Sequence, residues 1–275
     1  KIQNSFSDDN EEFQWDKSKD NVLAIKDIKD EIPLNLELTD SQFILPSTGA
    51  KFVIESGNLN LMIPDEDSEI TVKADITKGV PVSVKGGGTL KIEPHDPSQS
   101  QTTITLNSKL QLNSTFNVKI SSDNIISLKI DSISLHKSEG NNPVQIKAEN
   151  NGNSIDLNVD NIIAQKEAVS SLRNIIVNKK LTIEKLASLE LNDVKLNSAD
   201  ISLNLDAGNS KPIITGNLKE LPKSFVINKV EGSPKENTDY VLIKADFNCD
   251  DWNSKLKLDG TGFNKKQCRE SSTEN

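Results

Sequence analysis

The sequence predicts an all-β chain, a right-handed parallel β-helix (solenoid) with short helical or irregular caps. Three observations carry that expectation. Apolar and polar residues alternate in short runs, clusters rich in Gly and Asn separate the runs, and central apolar positions recur about every twenty residues.

The alternation has period two. It is clearest in Leu34-Asn-Leu36-Glu-Leu38, Ile70-Thr-Val72-Lys-Ala74-Asp-Ile76, Phe116-Asn-Val118-Lys-Ile120, Ile126-Ser-Leu128-Lys-Ile130, Ile155-Asp-Leu157-Asn-Val159 and Ile201-Ser-Leu203-Asn-Leu205. Successive side chains of a strand point to opposite faces, so each run places its apolar groups on one side and its polar groups on the other. The separators include Pro64-Asp65, Gly86-Gly87-Gly88, Gly140-Asn141-Asn142-Pro143, Asn150-Asn151-Gly152-Asn153 and Ala207-Gly208-Asn209. Gly and Asn tolerate the positive φ that tight turns require, so the strands are short.

Helix is expected in two places only. Residues 163–173 (IAQKEAVSSLR) hold good helix formers without Gly or Pro. Near the start, Val22, Leu23, Ile25 and Ile28 suit one or two amphipathic turns capping the end of a β stack.

One central apolar residue per strand gives the series Leu61, Val82, Ile104, Ile126, Ile146, Ile163, Ile183, Leu203, Phe225 and Ile243, with steps of 17–22 residues. Such a period matches the coils of a solenoid, which stacks small aliphatic side chains into a narrow core and has little need of aromatics. The aromatic fraction is indeed 4%. The competing reading is two tandem β-sandwich domains, which short strands and frequent turns also fit. On the solenoid reading, residues 1–30 form an N-terminal tail or cap, 31–246 the solenoid and 247–275 a C-terminal cap and tail.

Composition narrows the function classes. A net charge of -9 and a pI near 4.9 argue against a nucleic-acid partner, because phosphate neutralisation needs a basic stripe. No run of about 18 apolar residues is present, so no transmembrane helix is expected. Cys249 and Cys268 are the only cysteines. Paired, they would close the C-terminal loop and contribute on the order of 3 kcal/mol in an oxidising compartment, two unrelated thiols being the alternative. Asn113-Ser114-Thr115 is the one N-glycosylation sequon.

The motifs that carry chemistry are sparse. His95 and His136 are the only histidines and lie on separate polar segments, too few for a zinc site without a carboxylate brought in by folding. No G-x-S-x-G motif occurs. Asp156, Asn158 and Asp160 alternate along one polar strand face and are the candidate ligand-binding row, since hard cations and sugars are both held by such oxygens. Asp246-Phe-Asn248-Cys-Asp250 opens like a calcium loop, but Asp251 replaces the required Gly and Lys257 the bidentate Glu. Gly86-Gly87-Gly88 lacks the spacing of a phosphate loop and leads into a strand, which makes it a turn or bulge. No cofactor, metal or enzymatic activity is expected.

Two resemblances add to this reading. The strand and turn pattern resembles the repetitive surface β-helices of autotransporter passengers and polymorphic membrane proteins. Phe225-Val-Ile-Asn228 fits the F-x-x-N repeat of the latter, while Gly87-Gly88-Thr89-Leu90 departs at its third position from G-G-A-[IVL]. Residues 194–207 (VKLNSADISLNLDA) resemble strands of AsmA- and TamB-like lipid conduits, which line an apolar trough. The first resemblance implies a non-enzymatic, secreted or cell-surface (or periplasmic) adhesin-like protein whose partner is an extracellular protein or glycan. The alternatives are a polysaccharide-acting β-helix enzyme using Asp156 and Asp160, and a lipid-binding β trough.

Overall fold

The computed structural model describes residues 13–16, 22–25 and 50–54, most of residues 59–246, and residues 256–257. All regular structure there is β, and no helix occurs among the described residues. The strands are β1 (Phe13–Asp16), β2 (Val22–Ile25), β3 (Ala50–Ile54), β4 (Leu59–Ile63), β5 (Glu69–Ala74), β6 (Val82–Pro94) and β7 (Thr103–Ile120). They continue with β8 (Ser127–Leu135), β9 (Val144–Asn150), β10 (Asn153–Ser154), β11 (Asp156–Ala164), β12 (Val169–Arg173) and β13 (Ile175–Ile183). The last are β14 (Ser188–Val194), β15 (Asp200–Asp206), β16 (Ile214–Leu218), β17 (Ser224–Glu231), β18 (Ile243–Asp246) and β19 (Leu256–Lys257). Two compact units divide the chain, one of residues 1–131 with 146–157, the other of residues 132–145 with 158–275.

In the first unit, β2 pairs antiparallel with β1 and parallel with β3. Parallel pairing then runs from β3 to β5, to the end of β6, to the end of β7 and to β9. The register aligns Ile70, Leu90, Val118 and Ala148 in one inward row and Val72, Ile92 and Ile120 in the next, all buried. Leu61, Val84 and Leu110 form a further buried row where β4, β6 and β7 pair. Burial of an aliphatic side chain stabilises by about 1.5–3 kcal/mol, so these rows hold the coils together. Outward-facing Thr71, Lys91, Lys119 and Glu149 share one row.

The Gly86-Gly87-Gly88 segment is a bulge within β6, where the register with β7 shifts from Gly86↔Leu112 to Gly88↔Phe116. A methyl group at Gly87 would overlap the Ser114 hydroxyl and lie 2.9 Å from the Thr115 carbonyl oxygen, so the close approach requires Gly. Asn151 and Gly152, with φ of +48° and +80°, form the two-residue turn between β9 and β10, as Asn-Gly favours. Asn150 is buried beside this turn; its side chain accepts from Ser122 N–H and donates to the Ile125 carbonyl.

In the second unit, β12, β14, β16 and β18 form one parallel series, and β13, β15, β17 and β19 another. Leu181, Ile201 and Phe225 stack in one inward row, with Ile183, Leu203 and Ile227 in its neighbour. The twenty-residue step from Ile183 to Leu203 is the register seen, whereas Leu203 faces Ile227 and not Phe225. Each strand pairs with the next but one, in parallel, which is the connectivity of coils in a β-solenoid. It excludes tandem sandwiches, whose sheets are antiparallel.

Both helical expectations are corrected. Val22–Ile25 is β2, and residues 163–173 comprise the end of β11, a turn and β12. In that turn Ala168 N–H donates to Gln165, Glu167 N–H donates to the Lys185 carbonyl, and Ser188 N–H donates to Ala168. The next coil repeats the turn, with Ala187 donating to Glu184. Hydrogen bonds between stacked turns thus outweigh the helix propensity of Gln165, Lys166, Glu167 and Ala168, a preference worth only tenths of a kcal/mol per residue. Ile126 also departs from the sequence pattern. It precedes β8 at 65% exposure, while Leu128 and Ile130 are fully buried.

Candidate functional site

The expected row along β11 is resolved residue by residue. Asp156 is exposed and Asn158 half-buried. Asp160 is only 7% exposed. Its carboxylate lies 2.7 Å from Lys179 Nζ and accepts from Asn178 Nδ2 at 3.3 Å. The buried positions change parity at this residue, from Leu157 and Val159 to Ile162 and Ala164. Asp160 is therefore occupied by an ion pair where the parity of burial changes.

Asn113 is half-buried within β7, beside the residues that pack against Gly87. Cys249, Cys268, His95 and the residues of the 34–38 run lie outside the described residues. His136 Nε2 lies 3.2 Å from the Ser134 hydroxyl, which also accepts from Gln165 Nε2 at 3.0 Å. Beside them, Lys137 and Glu167 pair at 2.8 Å. Among the described residues no group of three or more His, Cys, Asp and Glu side chains could hold a metal ion. No helix of the described residues is long and apolar enough to cross a membrane.

The outer face of the β12 series carries an organised set of polar groups. Period-two alternation sends Ser170 and Leu172, Leu189 and Leu191, and Ile214 inward, leaving Val169, Ser171 and Arg173, Glu190 and Asn192, Thr215 and Asn217, and Lys244 on the opposite side. The register places Ser171, Glu190, Thr215 and Lys244 in one row and Arg173, Asn192 and Asn217 in the next. Arg173, Glu190, Asn217 and Lys244 are exposed, the others half-buried. Hydrogen bonds from Asn192 and Ser171 and the nearby Arg173 charge hold the Glu190 carboxyl below its ordinary range. Glu190 thus stays an anion, flanked by a guanidinium, a hydroxyl and an amide. With neighbouring strands about 4.8 Å apart, the two rows offer donors and acceptors at a fixed spacing on a rigid backbone.

Sequence reasoning did not find this array. Its members lie in separate strands, and the register that aligns them spans unequal coils: Val169 faces Ser188, 19 residues on, and Leu189 faces Ile214, 25 residues on. The available signal was outward polar residues at i and i+2 in each strand, which also occurs on every other wet face.

A second group of charges closes the coil ends in the same unit. Lys185 Nζ lies 2.8 Å from Glu231 and 3.3 Å from Asp206, and Lys229 reaches Glu231 at 2.9 Å. The hydrogen bond from Lys185, with that from Lys229, holds the Glu231 carboxyl down to about 2. Lys185 is correspondingly raised, chiefly by Glu231 and then Asp206. Beside this group Tyr240 donates its hydroxyl proton to the Ala207 carbonyl. The cleft among Leu186, Leu205, Tyr240 and Leu242 encloses about 10 Å³, room for one water.

No known protein family, curated protein or solved structure matches this chain.

Proposed function

We propose that this chain is a non-enzymatic, secreted or cell-surface β-solenoid protein that displays a polar face to an extracellular protein or glycan. The reading rests on one observation, the two registered rows, Ser171 to Lys244 and Arg173 to Asn217, on the outer face of the second unit. Such rows carry opposite charges and amide groups on a scaffold whose backbone is already fixed, so a partner can be gripped without ordering a loop first, which removes that part of the entropic cost of binding. Display is favoured over glycan cleavage because the Asp160 carboxylate is engaged by Lys179 and Asn178. It is favoured over a lipid trough because Val194, Leu196, Ala199, Ile201 and Leu203 are fully buried.

The test is binding of the purified chain to arrays of glycans and extracellular-matrix proteins, beside an Arg173→Ala, Glu190→Ala, Asn192→Ala variant with an unchanged circular dichroism spectrum. The expected result is a captured partner whose affinity falls at least about tenfold in the variant, a loss of about 1.4 kcal/mol. Absence of any partner, or equal binding by both proteins, overturns the proposal.

A further inference from the structure

We draw no further inference here: the strongest candidate, the exposed apolar patch of Leu186 and Val241 at the coil corners of the second unit, beside the shallow cleft bounded by Tyr240 and Leu242, carries nothing because nothing in the structure shows what covers it.

Discussion

The two units turn their corners by different means. Among the described residues of the first unit, positive φ falls on Gly79 and Gly152, on Gly86 and Gly88 in the β6 bulge, and otherwise only on Asn124 and Asn151. In the second, besides Gly216 and Gly232, it falls on Glu167, Asn174, Leu186 and Asp193. Left-handed backbone costs an ordinary residue about 1–2 kcal/mol, while Gly adopts it freely and Asn with less difficulty. The first unit therefore builds its corners from residues that favour the conformation. The second imposes it on Glu167 and Leu186 through hydrogen bonds between stacked turns. Local preference governs one set of corners and neighbouring coils govern the other.

The cores allow the largest test of this contrast. Phe116 lies in register between Gly88 and Ile146; Phe225 stacks on Ile201 and its backbone pairs in register with Leu256. Replacing either by Ala should cost about 3–5 kcal/mol, with Phe116→Ala at the upper end because Gly88 has no side chain to fill the void. Urea unfolding of the two variants would rank them, and a larger loss for Phe225→Ala would contradict the packing argument.

Glycines within strands come next. Gly216→Ala adds a methyl group against the Leu191 backbone carbonyl at a φ of +112°, and a loss of about 3 kcal/mol is expected. Gly87→Ala meets mainly the Ser114 side chain, so a second change, Ser114→Gly, should recover part of the lost stability. Failure of that rescue in thermal unfolding would show that the Thr115 backbone sets the limit.

Acid should affect the units through different partners. In the first, the Thr77 hydroxyl holds Asp75 down to about 2, from an ordinary 3.8; in the second, Lys185 is the main cause holding Glu231 to about 2, from 4.5. Both carboxyls are depressed on folding, so their contribution is complete above the unfolded values and is lost as pH falls from about 4 toward 2. Carboxyl titration by NMR should show Glu231 returning toward 4.5 in Lys185→Met while Asp75 stays low. Thr77→Val should do the reverse.

The smallest effects concern two serines and one corner. Ser170 in the second unit and Ser122 in the first are buried with hydroxyl oxygens that have no hydrogen-bond partner. Ser170→Ala, at a site 1% exposed, should raise stability by about 1 kcal/mol. Leu186→Gly should be neutral or stabilising by less than about 1 kcal/mol, because relief of the left-handed strain offsets the entropy that Gly adds to the unfolded chain. A clear loss of melting temperature in Leu186→Gly would mean that its half-exposed side chain contributes packing.

The same contrast explains which parts of the fold were legible. Alternation located β5, the end of β7, β11 and β15, because one face of each is buried and the other wet. The Asn151-Gly152 turn and the Gly86–Gly88 bulge could be read directly, since their residue types carry the backbone requirement. Residues 163–173 could not. Gln165, Lys166, Glu167 and Ala168 favour helix locally, and the coil that overrides them lies about 20 residues away in sequence. The candidate array was hidden for a related reason: Arg173, Asn192 and Asn217 are unremarkable singly and become neighbours only through the register. Asp160 was found as a carboxylate, but its capture by Lys179 depends on a different strand, β13, that only folding brings beside it.

In the second unit the interval between paired residues grows from 19, Val169 to Ser188, to 31, Phe225 to Leu256, while both pairings stay parallel. The repeat is kept in hydrogen bonds and not in residue count. A chain built this way can lengthen a corner by several residues and still deliver the next strand to its place. Its coils are thus natural points for insertions, where new binding loops could be added without redesign of the core.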